Sequence, residues 1–168
     1  NNSFGVDIRH IHDITSSDYK GDYDSWQHLW MSETMLHVSY NQRFGEKFSL
    51  DFRPGVSMVN YKLHGLDGQQ HWSIRLRSQF VYHINKQQQL AFIANIANEQ
   101  PEISYMNNID QTVDFIQIKR GNPYLDNTKY YDIGMIYNLP INRFNAQLMM
   151  VWGFADNNIR THYYIEED

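Results

Sequence analysis

Trp72-Ser73-Ile74-Arg75-Leu76-Arg77-Ser78-Gln79-Phe80-Val81-Tyr82-His83-Ile84-Asn85 alternates apolar and polar residues with a period of two. Trp72, Ile74, Leu76, Phe80, Tyr82 and Ile84 fall on one face of an extended strand. Ser73, Arg75, Arg77, Gln79, His83 and Asn85 fall on the other, and only Ser78 and Val81 break the pattern. Residues 144–154 repeat it with Phe144, Ala146, Leu148, Met150, Trp152 and Phe154. The opposite face there starts polar at Asn145 and Gln147 and turns apolar at Met149 and Val151. Shorter stripes run through Leu36, Val38 and Tyr40, through Phe48, Leu50 and Phe52, and through Ile133, Met135, Tyr137 and Leu139. Helical spacing fits none of these as well. Soluble strands usually run about 5–6 residues. At ~3.4 Å per residue a strand of about 13 spans roughly 44 Å, enough to cross a ~30 Å hydrocarbon layer at a tilt.

Eight strands are expected, roughly at 3–11, 30–44, 47–61, 71–85, 89–98, 129–139, 142–154 and 159–165. Tight turns are expected at Phe44-Gly45-Glu46-Lys47, around Asn85–Gln88 and at Leu139-Pro140-Ile141-Asn142. Longer connections fall at 12–29, 62–70 and 99–128, so short and long alternate. Outer-membrane barrels have short periplasmic turns and longer extracellular loops, and an up-and-down meander produces this alternation. The predicted fold is all-β: an antiparallel up-and-down meander of about eight long strands, with residues 1–168 forming one segment of an outer-membrane β-barrel. A soluble β-sandwich also alternates apolar and polar positions, with shorter strands and no such order of loop lengths.

Composition narrows the function. Aromatic residues reach 15% and there is no cysteine, so disulfides, thiolate nucleophiles and Cys-ligated zinc are excluded. A net charge of −5 gives no broad basic field for nucleic acid. The sequence has no run of some 18 apolar residues for a transmembrane helix, a criterion that does not apply to strands. The chain opens without Met or a leader-like segment and closes on Glu166-Glu167-Asp168, so it is read as an excised or processed piece. It has no Gly-x-Ser-x-Gly elbow, P-loop, His-Glu-x-x-His or dinucleotide-binding glycine pattern. No catalytic residue is assigned and no cofactor is expected.

The stretch 99–128 is long for a connection, which marks it as functional or disordered. It holds Gln100-Pro101-Glu102-Ile103 and later Ile118-Lys119-Arg120-Gly121-Asn122-Pro123-Tyr124-Leu125. A strand, a Pro-led loop, an Ile-x-x-Gly-Asn-Pro-x-Leu block and a Tyr-rich strand follow in that order. This resembles the barrel of Bacteroidetes TonB-dependent receptors and their outer-membrane relatives, through Pro101, Ile118, Gly121, Asn122, Pro123, Leu125 and Tyr130-Tyr131-Asp132-Ile133-Gly134. The resemblance covers about residues 71–160. The chain departs from it at Asp126-Asn127-Thr128, where the family often has Lys-Pro-Glu, and at Gln100, where it often has Arg.

The resemblance implies energy-coupled nutrient uptake across a bacterial outer membrane, without catalysis. It implies contact with outer-membrane lipid, a plug and TonB-type energy-coupling system supplied from outside this stretch, and a surface lipoprotein as a candidate partner. Such barrels have about 22 strands, so this chain is expected to be a middle slice. An open slice in water exposes two edges and its apolar stripes. There it is expected to curl until the stripes are buried, or to self-associate. The alternative function is a soluble extracellular or periplasmic β-sandwich that binds glycan through loop aromatics.

Candidate contact residues follow from residue type. Tyr19, Tyr23, Trp26, Trp30, Tyr105 and Tyr124 lie in or beside expected loops, where aromatics stack on sugars or simply pack the loop. His10 and His12 share a strand face at i and i+2 and are weak metal candidates without a third ligand, so no metal is assigned. The Asp18–Asp24 segment lacks the EF-hand order and reads as a solvated loop. Arg53, Arg75 and Arg77 would line a lumen and meet an anionic solute in a barrel, or be ordinary surface charges in a sandwich.

Overall fold

The period-two segments are strands in the computed structural model, which describes residues 2–21, 24–114, 117–141 and 144–163. In chain order they are β1 (Asn2–Tyr19), β2 (Ser25–Phe44), β3 (Phe48–Leu63), β4 (Gln69–His83) and β5 (Gln89–Glu99), then α1 (Ile103–Met106), β6 (Gln111–Asp114), β7 (Gln117–Lys119), β8 (Thr128–Ile141) and β9 (Phe144–Asp156). Seven of them make one sheet in the order β1-β2-β3-β4-β5-β8-β9, and each neighbour is antiparallel. The fold is the all-β up-and-down meander. β6 and β7 form a separate two-stranded ribbon inside the long connection.

Two expectations need correction. The strand expected at 159–165 is absent over residues 159–163, and residues 164 and 165 lie outside the described residues. The connection expected at 12–29 is mostly strand, because β1 continues to Tyr19 and β2 starts at Ser25, and the one expected at 62–70 shortens to residues 64–68. The tight turns at residues 45–47 and 84–88 are present, with Gly45 at φ 61° in the first. Asn85 closes the second by accepting the Gln87 and Gln88 backbone N–H groups on its side-chain oxygen. Asn142, expected in the third, lies outside the described residues.

Residues 12–18 of β1 are polar but for Ile14, so no stripe marks them as strand although the ladder to β2 runs on to Tyr19. A change of sign marks β3. From Phe48 to Met58 the even positions are apolar: Phe48, Leu50, Phe52, Pro54, Val56 and Met58. From Val59 onward the odd positions are apolar and buried, at Val59, Tyr61 and Leu63, while Asn60 and Lys62 take the even face. The strand is continuous across the switch. What changes is which side is apolar.

Register aligns the even-face stripe of β3 across the whole sheet. Phe4, Tyr40, Phe52, Ser78, Ala94, Ile133 and Trp152 form one cross-strand row over all seven strands. The band is open: Trp72 is 64% exposed, Ile74 71% and Phe154 68%. The chain has therefore not curled over its stripes, contrary to the expectation for a slice in water. Exposed apolar side chains thus recur on strands across the whole sheet.

The opposite face is concave. Glu33 on β2 pairs with Arg75 on β4, reaching over β3. The Ser57 hydroxyl on β3 donates to the Asn98 side-chain oxygen on β5 at 3.2 Å, reaching over β4. In a flat sheet these strands would stand roughly 9.5 Å apart, beyond the reach of a Ser–Asn bond. Only inward curvature brings them together. The main core lies on this concave face at the end away from the tight turns. Leu29, Val59, Tyr61 and Leu63 pack there with Met106 of α1, ringed by Met31, Leu66, Ile103 and Leu125. Each buried apolar side chain contributes roughly 1.5–3 kcal/mol. Among the described residues, β1 and β9 pair on one side only.

Candidate functional site

The connection from β5 to β8 folds onto the concave wall, and the residues quoted from its sequence are those that fasten it. Pro101 is buried at its start, and the Gln100 amide beside it donates to Glu33 Oε2 at 3.0 Å. Past α1 the chain doubles back. The Gly121 N–H donates to the Asn107 carbonyl at 2.6 Å and the Asn122 N–H to the Tyr105 carbonyl at 2.7 Å. A Cβ on Gly121 would stand 2.5 Å from both of those oxygens, so the close backbone approach requires glycine. Asn122 Oδ1 then accepts the Tyr124 N–H at 3.0 Å and tightens the turn into Pro123.

The block binds the wall through its carbonyls. The Pro123 carbonyl accepts from the Gln69 amide at 2.8 Å. The Leu125 carbonyl accepts from the Tyr61 hydroxyl at 2.5 Å, and the Leu125 side chain packs on the core. His71 completes the clamp: its ring stacks on Tyr61 at 5.2 Å, its Nδ1 meets Asp126 Oδ1 at 2.7 Å, and its Nε2 lies 2.9 Å from the Tyr61 hydroxyl. Gly121, Asn122, Pro123 and Leu125 are thus brought together as a loop anchor, and Pro101 is buried where the connection starts. Tyr61, His71, Asp126 and Glu33 belong to the same assembly and were not singled out by sequence. No linear motif joins them, because register alone sets Tyr61 beside Gln69 and two residues from His71 on one face.

The β6–β7 ribbon is tied down separately. The Tyr19 hydroxyl donates to the Thr112 carbonyl at 3.0 Å. Arg120 Nε and Nη2 donate to the two Asp110 carboxylate oxygens at 2.5 and 2.6 Å. The Arg120 hydrogen bonds hold the exposed Asp110 carboxyl below its ordinary value.

The candidate aromatics occupy several places. Tyr19 is the ribbon anchor, and Tyr23 lies outside the described residues. Trp26 and Trp30 stand on the outer face of β2, interleaved with His28 and His64; Trp26–His28 centroids are 5.3 Å apart and His28–Trp30 centroids 4.3 Å. Tyr105 on α1 lies under the Lys119 ammonium at 5.2 Å. Tyr124, in the turn after Pro123, is 71% exposed. They do not converge on one stacking surface. His10 and His12 share the outer face of β1, with His10 Nδ1 2.9 Å from Thr34 Oγ1. Among the described residues no group of three or more His, Asp or Glu is placed to hold a metal.

Arg53, Arg75 and Arg77 share the concave wall. Arg53 bonds Asp51 with two contacts, at 2.8 and 2.6 Å, and Arg75 pairs with Glu33. Arg77 stands directly opposite Arg53 in the β3–β4 register. A scan against protein-family models found no matching family, and searches of curated proteins and of solved structures found no significant match.

Proposed function

We propose that this chain is a wall segment of an outer-membrane β-barrel of the TonB-dependent receptor kind, acting in nutrient uptake without catalysis of its own. The observation that carries the reading is the change of sign along β3 at Met58–Val59, set beside the height of the apolar band below it. The even-face runs Phe48–Met58, Trp72–Tyr82 and Phe144–Phe154 each cover about ten residue steps, or ~34 Å. At a tilt of about 40° that is roughly 26 Å, the ~25 Å band of transmembrane barrels. Above the band the outer face becomes polar at His12, Ser32, Asn60 and Gln70, one row in register. A strand leaving lipid for water changes in this way. A second sheet would have no reason to end there.

In this reading the concave wall faces a lumen and the clamped loop sits at its outer mouth. The tight turns at 45–47 and 84–88 lie in the periplasm. The edges at β1 and β9 are closed by further strands, and plug, energy-coupling system and surface lipoprotein are partners supplied by other segments or chains. A glycan-binding sandwich would instead need a second sheet over Trp72 and Ile74.

The test is insertion. The purified chain is refolded with phosphatidylcholine vesicles and, in parallel, in water. Strand signal in vesicles that survives urea and protects β2–β5 from protease supports the proposal. A monodisperse, soluble monomer that ignores the vesicles overturns it.

A further inference from the structure

Just above the apolar band the outer face carries a shallow cavity of about 340 Å³, at the lower end of the volumes of ligand sites. Six outer-face side chains surround it: His12, Trp30, Ser32, Asn60, Lys62 and Gln70. Register assembles them. His12, Ser32, Asn60 and Gln70 form one row across β1–β4, and Trp30 stands opposite Lys62 in the next row up. Directly below, Met58 and Trp72 close the apolar band.

Height fixes what the cavity meets. Its two rows lie two and four residues beyond Met58, or about 7 and 14 Å along a strand. At a tilt of about 40° they stand roughly 5 and 10 Å above the last apolar row. The headgroup layer of one bilayer leaflet is about 5–8 Å thick, so the lower row lies within it and Lys62 at its outer margin. The long lysine stem lets the ammonium reach down to phosphate level. A lipid whose chains run over Val56, Ile74 and Trp72 places its headgroup in the cavity.

Charge selects the headgroup. Within β1–β4, Lys62 is the only Lys or Arg at an outer-face position, and it has no ion-pair partner among the described residues. No carboxylate lines the cavity. The one outer-face acid on these strands, Asp18, stands opposite Trp26, beyond the cavity, with Lys20 at 4.0 Å. The Asn60 amide, the Ser32 hydroxyl and the His12 ring supply further donors. The Gln70 amide donates to the Met58 thioether at 3.0 Å, a weak acceptor that a phosphate oxygen would displace. Trp30, its ring 4.3 Å from that of His28, forms the apolar side of the cavity, a common place for Trp at a membrane–water interface.

We propose that this cavity binds the phosphate headgroup of an anionic membrane lipid, with Lys62 as the counter-charge and Trp30 as the side wall. The proposal rests on the reading of the outer face as lipid-facing, and it names the lipid chemistry that this face takes.

The experiment is native mass spectrometry of the full chain folded in dodecyl maltoside micelles and titrated with phosphatidylglycerol, with phosphatidylcholine and with glycerol 3-phosphate. One phosphatidylglycerol should be retained at concentrations where phosphatidylcholine is lost, and glycerol 3-phosphate, which has no chains for the band, should not be retained. Lys62→Gln should weaken phosphatidylglycerol binding roughly ten-fold with the strand signal unchanged, and Lys62→Glu should weaken it further. Lys86→Gln removes the same charge from a tight turn at the other end of the sheet and should change nothing. Equal retention of the two lipids by the wild-type chain, equal losses in the Lys62 and Lys86 variants, or full retention in Lys62→Glu overturns the site. Glycerol 3-phosphate bound as tightly as the lipid also overturns it, since the ligand is then a free phosphate. Vesicle insertion is read separately: insertion without preference for the anionic lipid rejects the site alone, while failure to insert rejects the membrane reading and the lipid site with it.

Discussion

At Gly121 a single methyl group decides whether the long connection can close. An added Cβ meets two carbonyl oxygens of the facing backbone, and backbone cannot swing aside as a side chain can. Gly121→Ala should cost about 1–3 kcal/mol in loop docking, as overpacked positions do. Limited proteolysis between residues 100 and 127 should then run faster with the sheet intact, and an unchanged cleavage rate would refute this account of the glycine. Tyr61→Phe keeps the ring on His71 but leaves the Leu125 carbonyl without its donor. A loss of about 1–2 kcal/mol is expected from chemical denaturation. Asp110 gives a pH dependence of definite sign. Arg120 holds its carboxyl below the ordinary carboxylate value, so their bond contributes fully above that ordinary value and is lost as pH falls through the depressed one. Amide exchange in β6 and β7 should accelerate only in that acid window, and acceleration near neutral pH would contradict the assignment. The quoted loop block was legible as a unit in the sequence, through Gly121, Asn122, Pro123 and Leu125. Its receptors on the wall were not, because Tyr61, Gln69 and His71 become neighbours of the loop only after two strands pair.

Along β3 one strand carries two environments. Val56 and Asn60 point to the same outer face, four residues apart, on opposite sides of the switch. Val56→Lys should cost roughly 1–2 kcal/mol if that face meets lipid between mid-depth and the boundary, and Asn60→Lys close to nothing. Refolding yields into vesicles measure the contrast, and equal effects at the two positions would remove the argument for a membrane boundary. The misplaced first connection has another cause: residues 12–18 carry almost no apolar side chain, although the backbone ladder to β2 ran on. In β9 both faces are exposed and the inner one is apolar at Met149 and Val151. The sequence already showed that loss of alternation, and the structure places it at a sheet edge.

Over the whole sheet, the aromatic residues mark depth. Trp152 shares the central row with Phe52, Trp72 lies in the last apolar row beside Met58, and Trp26 stands beyond the band near His28 and His64. In vesicles containing lipids brominated along their chains, variants keeping only Trp152 should be quenched strongly and those keeping only Trp26 weakly. Equal quenching, or the reverse order, would reject this orientation.

Period-two patterning by itself determined the class of structure, its long antiparallel strands and the identity of the apolar face, because side-chain direction in a strand depends only on sequence parity. It also marked the Gly-Asn-Pro block, whose backbone demands are local. Tertiary structure alone decided where the strands end, which wall receives the loop and which outer-face side chains meet above the apolar band. Those follow from register and inward curvature, which bring together residues on strands that are not neighbours in the sheet, and no spacing along the chain encodes that approach.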